Sequence, residues 1–269
     1  MGVVEFRNPD NKLCFPLYKY YGKIDYAIDA ITNKRIHLEL PKDYNDIFDS
    51  TFVFDDWVYS HLLNTRTILI DILKNACPFL VTQLDSLDKS DESIYLPILI
   101  AELLEKYPDI NEYKIKESLA DFFSTNDLIQ ADNNKISCFS EINDSLLMWA
   151  YYANNYKGVC VEFDFSNVTH LKNNIYKVQY SQKRPNLHDS FDAYFWKSIQ
   201  WSHEQEWRIV AYTDEEYLLT PCIKSIILGA RIEEKDKVRL INLAREKNIK
   251  VYHSYPSKDE YRIVIEEIF

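Results

Sequence analysis

Apolar residues recur at every second position in some stretches of this chain and at every third or fourth in others, and the two periods predict strands and helices in turn. The run Leu17 to Tyr21 predicts a strand, residues 24–31 a helix and residues 35–40 a second strand. The polar run from Pro41 to Asp46 carries turn chemistry. From about residue 55 to 130 the spacing is helical, with helices expected at 56–73, 96–106 and 115–123 and a charged loop at 86–92. After residue 135 the pattern shortens. Strands are expected at 136–140, 159–165, 176–181, 207–212, 224–229, 250–252 and 261–266. Between them fall helices at 146–152, 189–199 and 234–247, the first capped by Asn143 or Asp144 and followed by a tight turn at Gly158. Strands of mixed type beside a helical block predict an α+β fold. No repeat or Pro/Ser-rich linker divides the 269 residues, so the expectation is a single domain over 1–269 with a helical insertion at about 55–130.

Composition narrows the chemistry. The four glycines form neither G-x-G-x-x-G nor G-x-x-x-x-G-K-[ST], which argues against a Rossmann dinucleotide domain or a P-loop. A formal net charge of −11 argues against non-specific binding to nucleic acid, where affinity comes largely from neutralised phosphates. Cys14, Cys77, Cys138, Cys160 and Cys222 are odd in number and show no C-x-x-C spacing, the pattern of reduced thiols. The six histidines lack the spacing of a zinc site, so no metal is expected. No apolar run approaches 18 residues and no basic-then-apolar leader opens the chain, so no membrane contact and a cytoplasmic location are expected.

The segment with most chemical content is Glu204-Gln205-Glu206-Trp207-Arg208. If it is extended, Glu204 and Glu206 project to the same side, roughly 6–7 Å apart along the backbone. Two carboxylates so placed suit chemistry on a sugar. The plainer reading is a solvated strand entry whose charge Arg208 neutralises. Trp149, Met148 and Trp207 sit at core spacing, His203 reads as structural or solvated, and Glu162 and Asp164 as an exposed strand face.

The residues Cys138-Phe139-Ser140, Leu147-Met148-Trp149, Tyr152-Ala153, Gly158-Val159 and Glu204-x-Glu206-Trp207-Arg208 resemble a bacterial domain family of unassigned function. That family is marked by C/S-F-S, L-M-W-x-x-Y-A, G-V and E-x-E-W-R, with an early Y-x-Y strand and an N-D-x-F loop, here Asn45 to Phe48. The order of these motifs is also similar to the ADP-ribosyltransferase fold, whose split sheets carry an aromatic-basic strand, a strand ending in Ser and a Q/E-x-E motif. The first motif falls on Tyr18, Lys19 and Tyr20, the second on Cys138, Phe139 and Ser140, and the third on Glu204 and Glu206. Lys19 stands where Arg or His is usual, and Cys138 replaces the first Ser.

This similarity implies a transferase that cleaves the nicotinamide–ribose bond of NAD, its substrate, for an unknown acceptor, as a toxin or defence effector. Glu206 would bind ribose hydroxyls and offset positive charge, and Glu204 would orient or deprotonate the acceptor. Ser140 would hold Glu206 or the ribose, Tyr18 or Tyr20 would stack on nicotinamide, and Lys19 would meet the pyrophosphate. Two alternatives stay open: a hydrolase using the same carboxylates on a glycosidic bond, and a non-enzymatic binding module with an aromatic surface.

Overall fold

The computed structural model describes residues 2–3, 16–50, 134–168, 171, 174–185, 194–220 and 222–269. Contacts group the chain into two compact units. One comprises Met1–Asp49, Asp132–Gln182 and Phe195–Phe269; the other comprises Ser50–Ala131 and Lys183–Tyr194. The helices expected at 56–73, 96–106 and 115–123, and the loop at 86–92, lie in the second unit, outside the described residues.

The first unit is mixed α+β, built on one large sheet of mixed strand direction. Its strands are β1 (Gly2–Val3), β2 (Leu17–Tyr21), β4 (Asn134–Ser140), β5 (Val159–Phe163), β6 (Ile175–Lys177), β9 (Glu206–Tyr212), β11 (Ile223–Leu228), β12 (Lys250–Pro256) and β13 (Ile263–Glu267). Their order is β1-β9-β4-β2-β5-β11-β12-β13, with β6 also on β9. Neighbours are antiparallel except β11 and β12, whose parallel pairing spans the crossover helix α3 (Glu234–Lys247). Two small ladders stand apart: β3 (Arg35–His37) with β10 (Tyr217–Leu219), and β7 (Gln179–Ser181) with β8 (Trp196–Ser198).

One face of the sheet packs on α1 (Ile24–Asn33) and α3, burying Ala27, Ala30, Ile31, Leu240 and Ala244 against Leu17, Phe139, Val161, Trp207 and Ile209. The other face carries a smaller cluster around Trp149 of α2 (Leu146–Tyr151), with Cys160, Ile227 and Ile263. In α3, Glu234 and Asp236 open the helix and Arg245 and Lys247 close it, complementing its dipole. With glycine scarce, helix ends fall on left-handed Lys34 (φ 49°) and Asn248 (φ 53°). Among the described residues no helix is long and apolar enough to cross a membrane.

Several local expectations change. Ser145, not Asn143 or Asp144, caps α2, because it immediately precedes the first helical residue and accepts from Met148 N at 3.4 Å. The turn after α2 is made by Asn154, Asn155 and Tyr156, all with positive φ. Gly158 has no such φ; it is needed for close approach, since a Cβ there would sit 2.1 Å from the Tyr21 carbonyl. The strand expected at 176–181 breaks at Val178, whose N–H donates to Glu206 O at 2.9 Å, giving β6 and β7. The strand expected at 159–165 stops at Phe163, where the Asp164 side chain caps a 3-10 turn, Phe165–Asn167. The helix expected at 189–199 is β8 followed by a 3-10 helix, Ile199–Glu204, over its described part; strand pairing with β7 claims Trp196–Ser198.

Candidate functional site

Strand pairing puts the candidate residues in register. Ser140 of β4 lies opposite both Tyr18 of β2 and Glu206 of β9, and Cys138 lies opposite Arg208. Directly paired residues share a sheet face, so Tyr18, Cys138, Ser140, Glu206 and Arg208 all project to the side away from the main core. Between β2 and β4 only the pair Tyr18 and Ser140 is in register. Beyond it the ladder opens, and a cavity of about 510 Å³ is lined by residues Tyr18 to Tyr21 of β2 and by residues of β4. Tyr18, Lys19 and Tyr20 line it from β2, and Cys138 and Ser140 from β4. Glu204 and Glu206 complete the set, so all seven candidate residues border one space.

Glu204 and Glu206 converge, though not by strand alternation. Glu204 ends the 3-10 helix, Gln205 is left-handed (φ 43°), and Glu206 begins β9. The turn points both carboxylates at one ammonium: Lys197 Nζ donates to Glu204 Oε2 at 2.6 Å and to Glu206 Oε2 at 3.1 Å. Arg208 donates from Nε to Glu206 Oε1 at 2.7 Å and from Nη1 and Nη2 to Asp49 at 2.7 and 2.6 Å. Lys197 also reaches Asp49 Oδ2 at 3.5 Å. The Tyr152 hydroxyl donates to Glu204 Oε1 and accepts from Asn45 Nδ2 at 3.5 Å. Asp49, Lys197, Glu204, Glu206 and Arg208 are buried, with Arg208 at 0 %, Glu204 at 3 % and Glu206 at 4 % exposure, while Tyr152 and Asn45 are only partly covered.

Three buried carboxylates face two cations, and the two glutamates respond in opposite directions. Burial pushes Glu206 up, but Arg208 and Lys197 outweigh it and hold the group well below the ordinary carboxylate range. Glu204 is pushed up, first by burial and then by the charge on Glu206, with Lys197 opposing. The two environments thus favour the ionised form of Glu206 and the protonated form of Glu204. Burial and Glu206 push the Cys138 thiol up, which favours its protonated form.

The other candidates take more structural places than the motif order implies. The Ser140 hydroxyl donates to the Glu204 backbone carbonyl at 2.6 Å and accepts from Ile142 N at 3.2 Å, so it fixes the Glu204 turn and not the Glu206 carboxylate. Tyr20 donates to Ile142 O at 2.9 Å and sits edge-on to Trp149 at 5.3 Å, which makes it part of the packing. Tyr18 remains half-buried, its hydroxyl pushed up to about 12 by burial and by Glu162. Lys19 projects to the opposite face, where its amine donates to Ser137 Oγ and Cys138 O, both at 3.1 Å, beside the place where the ladder opens. Trp149 and Trp207 are core residues, as their spacing indicates. Among the described residues no group of three or more His, Cys, Asp or Glu side chains is arranged to hold a metal.

Sequence reasoning missed Asp49, Lys197 and Tyr152 as site members. Tyr152 stood inside the L-M-W-x-x-Y-A motif, and Asp49 one residue past the N-D-x-F loop. Lys197 gave no signal, because a buried lysine is indistinguishable by type from a surface one. A family model described as "Protein of unknown function (DUF2971)" matches residues 148–209, a segment that includes Tyr152, Lys197, Glu204, Glu206 and Arg208. No curated protein and no solved structure matches the chain.

Proposed function

We propose that the protein cleaves the nicotinamide–ribose bond of NAD and transfers ADP-ribose to an acceptor, with a cleft like that of the ADP-ribosyltransferase fold at the opening between β2 and β4. The observation carrying this is that seven candidates from three distant segments border one cavity of about 510 Å³, a volume within the usual range for small-molecule sites. In this reading the bond between ribose C1′ and the nicotinamide nitrogen breaks with its electron pair leaving on nicotinamide. The positive charge left on the ribose faces ionised Glu206. A ribose hydroxyl replaces the 3.1 Å contact of Lys197, the longer of its two glutamate bonds, and Lys197 stays on Glu204. Glu204, whose affinity for a proton is raised, accepts the proton of the attacking group. Tyr18 offers the open ring for nicotinamide.

Hydrolysis is the second reading, and the burial of Glu204 favours it. Both Glu204 oxygens are engaged, by Tyr152 and Lys197, and a water reaches such a site more readily than a side chain of a macromolecule. Nicotinamide release from NAD by wild type and Glu206→Gln, with and without cell extract, tests both. We expect release to fall about 100-fold or more in the variant, in line with loss of a preorganised electrostatic group. Stimulation by extract indicates transfer, and full turnover without it indicates hydrolysis. Equal release by both proteins, or none by either, sinks the proposal.

A further inference from the structure

Burial of Glu204 obstructs any reaction in which it takes a proton from an attacking group. Its side chain is 3 % exposed, and its two oxygens are held by the Lys197 ammonium and the Tyr152 hydroxyl. These two partners differ in what they can pass on. An ammonium has donors and no lone pair, so Lys197 cannot take a proton from the cavity. A phenol hydroxyl has one donor and two lone pairs, so it can give a proton on one side while receiving one on the other. Of the two, only Tyr152 can carry a proton inward to Glu204.

The fold holds Tyr152 in that place. It is the C-cap of α2, its N–H donating to Met148 O at 2.9 Å. Trp149, fully buried in the same helix, anchors it by donating from Nε1 to Asn143 O at 2.7 Å. Tyr152 borders the cavity and is only partly covered. Its oxygen also meets Asn45 Nδ2 at 3.5 Å, and Asn45 is an exposed residue lining the same cavity. The hydroxyl therefore lies between a buried carboxylate and an exposed amide. A contact of 3.5 Å is a weak hydrogen bond, so an incoming water displaces it at little cost. Burial and Glu204 push the phenol's own pKa up, which disfavours a free phenolate and favours movement of both protons in one step.

We propose that Tyr152 is a catalytic residue, relaying to Glu204 the proton lost by the group that attacks ribose C1′. The attacking oxygen bonds to C1′, and the bond from C1′ to the nicotinamide nitrogen breaks with its electron pair leaving on nicotinamide. The proton of the attacking O–H passes to the Tyr152 oxygen as the Tyr152 proton passes to Glu204 Oε1. The phenol ends as it began, and Glu204 returns its proton to solvent by the reverse route once the product has left. The relay deepens the NAD reading and rests on it for the bond that breaks. It serves water and an acceptor hydroxyl alike.

The test is nicotinamide release from NAD by wild type and Tyr152→Phe, in buffer and with cell extract, each with and without sodium azide. Thermal unfolding of both proteins accompanies it. Azide bonds to C1′ with no proton to lose, so it bypasses the relay. Without azide, Tyr152→Phe is expected to turn over about 100-fold more slowly than wild type, with the KM for NAD little changed. Azide restores most of the lost rate. Mixtures of light and heavy water then separate a relay from a residue that only positions Glu204. Two protons moving in one step make the wild-type rate fall along a curve as the deuterium fraction rises, whereas one proton gives a straight line. Wild-type turnover by Tyr152→Phe, a straight line in wild type, or no rescue by azide in a variant that unfolds like wild type overturns the relay and leaves the NAD reading standing. If Tyr152→Phe does not fold, the wild-type heavy-water curve decides alone. No release by wild type overturns the NAD reading and the relay with it.

Discussion

Strand β9 buries both of its faces, and it does so by two different physical means. On one face Trp207, Ile209 and Ala211 join the main apolar core. On the other, Glu206 and Arg208 are equally buried but sit among Asp49, Lys197 and Glu204. Apolar burial is non-directional and proportional to area, so the first face tolerates a change in shape at graded cost. The second face works only if each charge finds its partners, because desolvation of an unpaired ion outweighs most other terms. Such a cluster is weak as a source of net stability, and replacing it whole by apolar residues is often neutral. Its value is to hold two carboxylates in fixed positions and opposite protonation tendencies against a cavity.

The sharpest way to break this comparison is Arg208→Met. It leaves Asp49 and Glu206 buried with Lys197 as their shared cation, and we expect a loss of about 3–5 kcal/mol in urea unfolding. A loss under 1 kcal/mol would mean that water already reaches the cluster.

A smaller effect separates the two glutamates by pH. Glu206 is depressed when folded, so its ionised form stabilises the protein above the ordinary carboxylate pKa, and that contribution fades as pH falls below it. Glu204 is raised, so its contribution is full at low pH and is lost as pH rises through its folded value. Glu206→Gln is therefore expected to be clearly destabilised at pH 7, with a gap from wild type that narrows on acidification. For Glu204→Gln the gap shifts in the variant's favour as pH rises. Unfolding curves for each variant at pH 4, 6 and 8 provide the check, and parallel pH profiles would show that the two carboxylates share one environment.

The smallest effect belongs to the apolar face. Ile209→Val is expected to cost about 0.5–1.5 kcal/mol with no pH dependence, measured by the same unfolding curves. A pH-dependent loss there would couple the two faces and erase the distinction between them.

Elements with a strong period were legible from the chain. Strand β2, helix α1 and helix α3 were each set by their own apolar spacing, and α3 begins and ends at its expected residues. The stretch from Tyr176 to Glu204 was not. There Val178 leaves one ladder for another, Trp196–Ser198 pairs in parallel with β7, and a 3-10 helix carries Glu204 into the site. These features depend on partners distant in sequence, which local spacing does not encode. Glu204 and Glu206 were found because two acids beside an apolar strand are conspicuous. Their shared lysine was not, because nothing local marks its burial.

Local propensity and periodicity, which act between near neighbours, are enough to set the α+β composition, the main strands and helices, and the carboxylate pair. Folding adds that β2 and β4 part after a single registered pair, that Lys197 and Asp49 join the carboxylates, and that Lys19 faces away from them. Those outcomes follow from strand register and from the need of each buried charge for a partner, and both are settled between residues that only folding brings together.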